Sequence, residues 1–318
     1  MTKRSIQTSS PGYFVGIEFD HRAIRAARVS SDGRGGFTVA ALEDQAGDFS
    51  EDGALIDGLR KVKSRLGPGV RDIVVSCLAG KQVFASQMDF RRLTGEEMEQ
   101  ALRLELRKIV HFEVATSTLD FEILDGDGDS TGGQCQVMVA LASNSLLGRH
   151  IQILEKSGLR PSAMDVLPLA VADALWIWRE EKGMEAPVAA LHIGHQASTI
   201  VIDGEYSPFF NRSIPISVDG SAADAHGDPE RAKRLHSLAD EISRSLNFHE
   251  KSTGVGGFRE IVLLGDLPDD PGFSDTIKRR TGLDTVRMDL ASKISGGRKP
   301  APAGRFDLAI ALALRGDA

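Results

Sequence analysis

One pattern occurs twice in this chain, and it limits the folds open to it more than any other feature. Residues 13–19 have the apolar, β-branched character of a buried strand, and the polar break Asp20-His21-Arg22 ends it. A second strand is predicted from about residue 23 to 29, a turn over 31–36 and a third strand over 37–42. The same order returns at 188–193, the break Gly194-His195-Gln196-Ala197, 198–202, a hairpin turn at Asp203-Gly204-Glu205, and 206–214. Each set is followed by a helix with one apolar face: Leu55, Leu59, Val62 and Leu66 in the first, and Leu235, Leu238, Ala239, Ile242 and Leu246 in the second. A short β-branched strand, 72–76 or 260–264, closes each unit. A duplicated β-β-β-α-β unit predicts two similar α/β lobes, with a cleft between the loops that follow their first strands.

The segment between the halves reads as an inserted α/β subdomain. A strand is predicted over 83–89. Thr94-Gly95-Glu96-Glu97 has the form of a capping box, which ties off the free amides at a helix start. The helix is predicted to run to about Val110, with Met98, Leu102, Leu106 and Ile109 on one stripe. Strands at 119–124 and 134–141 and a helix over 144–157 complete the insert. Asp125, Asp127 and Asp129 alternate as the first ligands of a calcium loop do, but position 136 is Gln136, not the required Glu, so this stretch reads as a solvated turn. Trp176 and Trp178 read as packing anchors on the next helix. The expected boundaries are 12–81 for the first lobe, 82–159 for the insert, 160–182 for the return to the first lobe and 187–300 for the second lobe. A C-terminal helix over 305–316 is expected to pack back on the first lobe.

At 318 residues the chain is long for a single core and suits two lobes. Its net charge of −7 argues against nucleic acid, which calls for a basic face. Cys77 and Cys135 each sit in an apolar, strand-like run and read as buried free thiols. The polar start, with Lys3 and Arg4, is not followed by the apolar run of a signal peptide, and no stretch reaches the length of a membrane span. The expectation is a cytoplasmic protein whose membrane contact comes through a partner.

The duplicated unit resembles the layout of the actin, sugar-kinase and heat-shock-chaperone ATPase superfamily, with its ribonuclease H-like lobes. Within it, Ile109-Val110-His111-Phe112-Glu113 followed by Leu119-Asp120-Phe121-Glu122-Ile123-Leu124 resembles a stretch of the PilM family of pilus assembly proteins. So do residues 137–142, Gly158-Leu159-Arg160-Pro161 with Asp165, Arg212-Ser213-Ile214-Pro215-Ile216, and the helix around Glu241, Arg244 and Ser245. The resemblance runs in order from 13 to 315. It implies an actin-like scaffold carrying an inserted subdomain of the type found in the division protein FtsA. It further implies a partner, the N-terminal cytoplasmic tail of a PilN-like inner-membrane protein, held in a groove beside the insert. His111, Phe112 and Phe121 are placed near that groove, and other pilus platform or motor components are implied as further partners.

The resemblance also implies a nucleotide site, and here the motifs depart from the family. The first loop, D-x-G-S-S in the family, reads Glu18-Phe19-Asp20-His21-Arg22. The second, D-I-G-A-T-T, reads His192-Ile193-Gly194-His195-Gln196-Ala197. Neutral imidazole is a poor partner for Mg²⁺, which prefers oxygen. Gly265-Asp266-Leu267 with Pro271-Gly272 keeps half of the adenosine loop. Glu241, Arg244 and Ser245 share one helix face, which in related ATPases lines the nucleoside pocket. Only a short Gly/Asp/Ala-rich stretch, 217–229, stands where the family carries a longer lid. Glu18, Asp20, Gly194, Glu241, Arg244, Ser245 and Gly265 therefore outline a degenerate nucleotide site, with Mg-ATP bound weakly or not at all. No residue is assigned as catalytic and none as a metal ligand. The alternatives are an active actin-fold ATPase or sugar-kinase-like enzyme, and a component of the GspL kind from type II secretion.

Overall fold

A strand whose consecutive residues are all buried has to lie inside a sheet covered on both faces. In the computed structural model, which describes residues 12–124, 133–179, 186–204, 207–218, 229–268, 271–295 and 304–316, β1 (Gly12–Phe19) is such a strand, buried from Phe14 to Glu18. It pairs antiparallel with β2 (Ala23–Ser31) and parallel with β4 (Ile73–Leu78). With β3 (Phe37–Ala46) and β8 (Pro161–Val166) they form a sheet of order β3-β2-β1-β4-β8. One face, with Val15, Ile17, Ile24 and Ala26, packs against Leu55, Leu59, Val62 and Leu66 of α1 (Asp52–Leu66). The second lobe repeats the arrangement with β9 (Val188–Ile193), β10 (Ser198–Gly204), β11 (Ser207–Ile214), β12 (Glu260–Gly265) and β13 (Asp284–Arg287), in the order β11-β10-β9-β12-β13. There α5 (Pro229–Thr253) and α6 (Pro271–Thr281) cover one face. β1 and β9 thus occupy matching central positions in separate sheets.

The other faces of the two sheets share one core. α4 (Leu167–Arg179) and α8 (Asp307–Arg315) bring Ala170, Leu175, Ile310 and Leu312 into one cluster with Phe14 and Val29 of the first sheet and Val201 and Val262 of the second. The C-terminal helix, expected to pack back on the first lobe, lies against β1, β2 and β4 of that lobe and belongs to a middle layer that also reaches the second sheet. Trp176 and Trp178 pack against this layer.

The insert is a three-stranded sheet, β5 (Val83–Arg91), β7 (Gln134–Ser143) and β6 (Ser117–Ile123) in the order β5-β7-β6. α2 (Gly95–Leu106) covers one face with Met98, Leu102 and Leu106. Its capping box is formed, with the Thr94 amide donating to the Glu97 carboxylate at 3.3 Å, and the Thr94 hydroxyl also donates to that carboxylate, at 2.6 Å. The helix ends at Leu106 rather than near Val110, and Ile109, read as part of its buried stripe, is 41% exposed. α3 (Asn144–Lys156), expected to complete the insert, buries Ile153 and Leu154 in the core under α1 and so adds a layer to the first lobe. β5 also touches the second lobe: Asn211 donates to the Ala85 carbonyl and the Phe209 amide to the Gln87 side chain, each at 2.7 Å. β8, α6, β13 and α7 (Leu290–Ser295) are elements that the sequence pattern did not reveal. The Asp-rich turn at 125–129, Glu205 and Tyr206 of the second-lobe hairpin, and most of the shortened lid (219–228) lie outside the described residues. Among the described residues no helix is long and apolar enough to cross a membrane.

Asp307 starts α8 and is 2% exposed. It accepts the Leu290 amide at 2.5 Å, which ties α7 to α8. Burial pushes its carboxyl up to about 7. A carboxyl raised in the folded state favours folding fully below its unfolded pKa, and that contribution is lost as pH rises through about 7. Asp307→Asn keeps an acceptor for the amide and removes the titration. Between pH 5 and pH 8 the stability difference should shift in favour of the variant by roughly 1–3 kcal/mol. Thermal melts of both proteins across that range check this, and parallel curves count against it.

Candidate functional site

Two concave regions stand out, a cleft between the lobes and a groove beside the insert. The cleft lies where the β1–β2 turn, the β9–β10 turn and the end of β12 converge, and has a volume of about 500 Å³. Asp20 holds the first turn. Its Oδ1 accepts the amides of Arg22 at 2.7 Å and Ala23 at 2.9 Å, an Asx turn that fixes the carboxylate in place. Its Oδ2 faces Nδ1 of His195, from the other lobe, at 2.7 Å. Asp266, just past β12, faces the same His195 nitrogen at 3.2 Å and pairs through its other oxygen with Arg25 of β2. Glu18 lies 3.9 Å from Arg25 and 3.8 Å from His192 Nε2. The two lobes are therefore joined across the cleft by ionic contacts.

The charges shift one another. Burial raises the Asp20 carboxyl, but the His195 contact and the two backbone amides outweigh it and hold it down at about 2. Burial lowers the His195 imidazole, and Asp20 and Asp266 together more than reverse that, so it stays protonated to higher pH than a free histidine. Burial pushes Asp266 up in spite of Arg25 and His195. Close packing completes the floor. Gly265 has φ +95°, and a Cβ there would lie 2.3 Å from the Ile193 carbonyl oxygen, so only glycine fits.

Of the residues read from the sequence as a degenerate nucleotide site, Glu18, Asp20 and Gly194 line this cleft, and Gly265 shapes its floor against His192. Glu241, Arg244 and Ser245 are not brought to it. Glu241 pairs with Arg212 at 2.6 Å and Arg244 at 2.9 Å, and the Ser245 hydroxyl turns back to the Glu241 carbonyl of its own helix. The structure corrects that part of the reading: the face they share serves α5 and its neighbour β11, not the cavity. Sequence reasoning missed Arg25 altogether. It noted His195 and Asp266 only as departures from a motif, without their pairing.

The groove has a volume of about 320 Å³. Two edge strands border it, β6 of the insert and β8 of the first sheet, with α3 alongside. Met138 and Ala140 of β7, Leu147 and Ile151 of α3, and Met164 and Leu169 supply apolar surface, and Asp120 and Glu122 stand on its β6 side. Arg315 also lines it, held by Asp165 at 3.0 Å and Asp173 at 2.5 Å. Of the three aromatic or imidazole residues expected nearby, Phe121 borders the groove while packing against the α2 core. Phe112 packs into that same core and His111 is exposed, and neither lines the groove. The reason is strand alternation: along β6 the residues at 119, 121 and 123 turn toward α2, leaving 118, 120 and 122 for the groove.

Comparison with known proteins sets these features in a family. The family model for the type IV pilus assembly protein PilM matches residues 16–215. The chain is similar to the solved structure of a PilM-PilN type IV pilus biogenesis complex, with a TM-score of 0.78 and 21% identity, over 96% of this chain and 98% of that one. It is also similar to the ethanolamine utilization protein EutJ from Carboxydothermus hydrogenoformans, with a TM-score of 0.52 and 11% identity, over 99% and 93%. A third similar structure, a Bacteroides thetaiotaomicron protein with an actin-like ATPase fold, has a TM-score of 0.53 and 13% identity, over 98% of each chain. No curated protein sequence matches the chain. With more than half of its length matched by the family model, and with two lobes built on the actin-like ATPase plan, the chain belongs to the type IV pilus assembly protein PilM family.

Proposed function

We propose that this chain is a non-catalytic scaffold of a type IV pilus assembly complex at the inner membrane, and that its groove takes the N-terminal peptide of a PilN-like membrane protein. The observation that carries the reading is the groove itself, where two edge strands border an apolar floor. An extended peptide needs backbone partners along an edge and pockets for alternate side chains, and such a groove offers both. A preformed groove also reduces the ordering cost of holding a flexible tail. The similarity to the structure of a PilM-PilN complex supports the choice of partner.

The scaffold reading draws on the cleft. A nucleotide phosphate needs free backbone amides and a cation near the first turn. Here the amides of Arg22 and Ala23 are already taken by Asp20, whose charge also opposes phosphate. His192 stands where the family pattern has a carboxylate. These residues do not fit Mg-ATP, so titration calorimetry should show no binding tighter than about 100 μM, a free energy of roughly 5.5 kcal/mol.

Fluorescence anisotropy with a labelled N-terminal peptide of the PilN-like protein tests the groove. The wild-type chain should bind it. Leu147→Arg and Ala140→Arg should each weaken binding by about 30-fold or more, close to 2 kcal/mol. Their melting temperatures should stay near that of the wild type, because both positions are only half-buried. No binding by the wild type at high micromolar peptide would end the reading.

A further inference from the structure

We propose that Asp20, His195 and Asp266 form a binding site for a divalent transition-metal ion, Zn²⁺ in the first instance, that bridges the two lobes. Their ligand atoms lie within 4.8 Å of one another and come from three separate loops. Asp20 stands in the β1–β2 turn, His195 in the β9–β10 turn and Asp266 past β12.

The arrangement of second partners supports a metal. Ligating carboxylates are commonly oriented by hydrogen bonds to their other oxygen. Both acids show this. Asp20 Oδ1 is held by two backbone amides and Asp266 Oδ1 by Arg25, so each presents Oδ2 to the same point. At that point both Oδ2 atoms face one imidazole nitrogen, at 2.7 and 3.2 Å. His195 Nδ1 carries at most one proton, which cannot serve two carboxylates well. A metal ion among the three atoms satisfies all of them.

Charge leads to the same place. Glu18, Asp20 and Asp266 face Arg25 and His195 here, so three acidic side chains share one guanidinium and one imidazole, with Glu18 and Arg25 buried and the other three half-buried. A divalent ion among these atoms would add the positive charge that a cluster rich in carboxylates calls for. A second, independent observation lies in the same cavity. Among the described residues, both ring nitrogens of His192 and Oε1 of Glu18 lack hydrogen-bond partners, although these residues are only 7% and 8% exposed. A metal-bound water would supply partners to such atoms. His21 Nδ1 is a further unpartnered buried atom, on a ring set edge-on to His195. A histidine among the ligands selects a transition metal over Mg²⁺ or Ca²⁺, which take oxygen.

The test uses the full untagged chain, cleared of metal with a chelator. ZnSO₄ is titrated by calorimetry, CoCl₂ is followed by its visible absorption, and melting is measured with and without Zn²⁺. The expected result is one saturable equivalent, a Co²⁺ band that Zn²⁺ displaces, and a melting temperature raised by Zn²⁺. His195→Asn and Asp20→Asn, both near-isosteric, should each lose about tenfold or more in affinity, and with it the gain in melting temperature. Asp20→Asn keeps the oxygen that accepts the Arg22 and Ala23 amides, and circular dichroism verifies the fold of both variants. Absence of saturable binding in the wild type up to about 100 μM would overturn the proposal. So would equal binding by the wild type and both folded variants, which would place the ion on other side chains. Equal competition by Mg²⁺ would also overturn it, because a hard-ion site is not the one described.

Discussion

Gly16→Ala is expected to destabilise the protein by about 3 kcal/mol or more, the upper end of the cost of overpacking a core. Gly16 is the midpoint of β1, where α8 crosses the sheet. A Cβ at this position would lie 1.9 Å from the Ala309 carbonyl oxygen and 2.5 Å from the Ala313 nitrogen. These are backbone atoms of a helix whose residues 308–314 are all buried, so no side-chain rotation relieves the contact. The helix has to move away from the sheet, and the core shared by the two lobes opens with it. Gly148→Ala in α3 is the matched control. It meets nothing within 4 Å, and alanine is favoured over glycine in a helix interior by about 0.5–1 kcal/mol, so that variant should melt at or slightly above the wild type. Chemical denaturation of both variants reads the difference. A Gly16→Ala protein as stable as the wild type would mean that α8 does not seat on β1 at this distance.

Arg25→Met should cost about 3–5 kcal/mol, the usual penalty for removing one partner of a buried ion pair. Arg25 is 5% exposed and lies between Glu18 of its own lobe and Asp266 of the other. Methionine keeps most of the apolar stem but takes the guanidinium from both carboxylates, which leaves Asp266 with His195 alone. Asp266, already pushed up by burial, would lose the guanidinium that opposes that shift. A carboxyl raised in the folded state loses its stabilising contribution as pH rises, so the variant should be more compromised at pH 8 than at pH 5. Adding Asp266→Asn should recover part of the loss, since one buried charge is gone. Arg65→Met, which breaks an exposed pair with Glu43, should cost at most about 1 kcal/mol. Measurement with a chelator present keeps any bound metal out of the comparison. Equal costs for Arg25→Met and Arg65→Met would show that the interlobe network contributes little.

Local patterns in the sequence determined a good deal of this protein. Alternation and 3.6-residue periodicity located β1, β2, β9 and β10 and the helices α1 and α5, because each depends on residues a few positions apart. Thr94 and Glu97 marked the start of α2 for the same reason, and Cys77 and Cys135 were legible as buried thiols from the apolar runs around them. Glu18, Asp20 and Gly194 could be placed at the cleft because a turn after a first strand is itself a local signal.

Only the tertiary structure decided the rest. β8 begins with a proline and carries a buried Asp165, so its composition argues against a strand; it is one because proline is tolerated at the first position of an edge strand and Arg315 offsets the acid. β13 has four residues, too few for any period to show. α8 reads as an ordinary apolar helix, and nothing near it in sequence says that both lobes bury it. The cleft depends most on packing. Arg25 meets Asp266 across a separation of 241 residues, and Asp20 meets His195 across 175. Each is an ordinary surface type in its own segment. Their charges acquire meaning only where β2 and the turns of the two lobes bring them together.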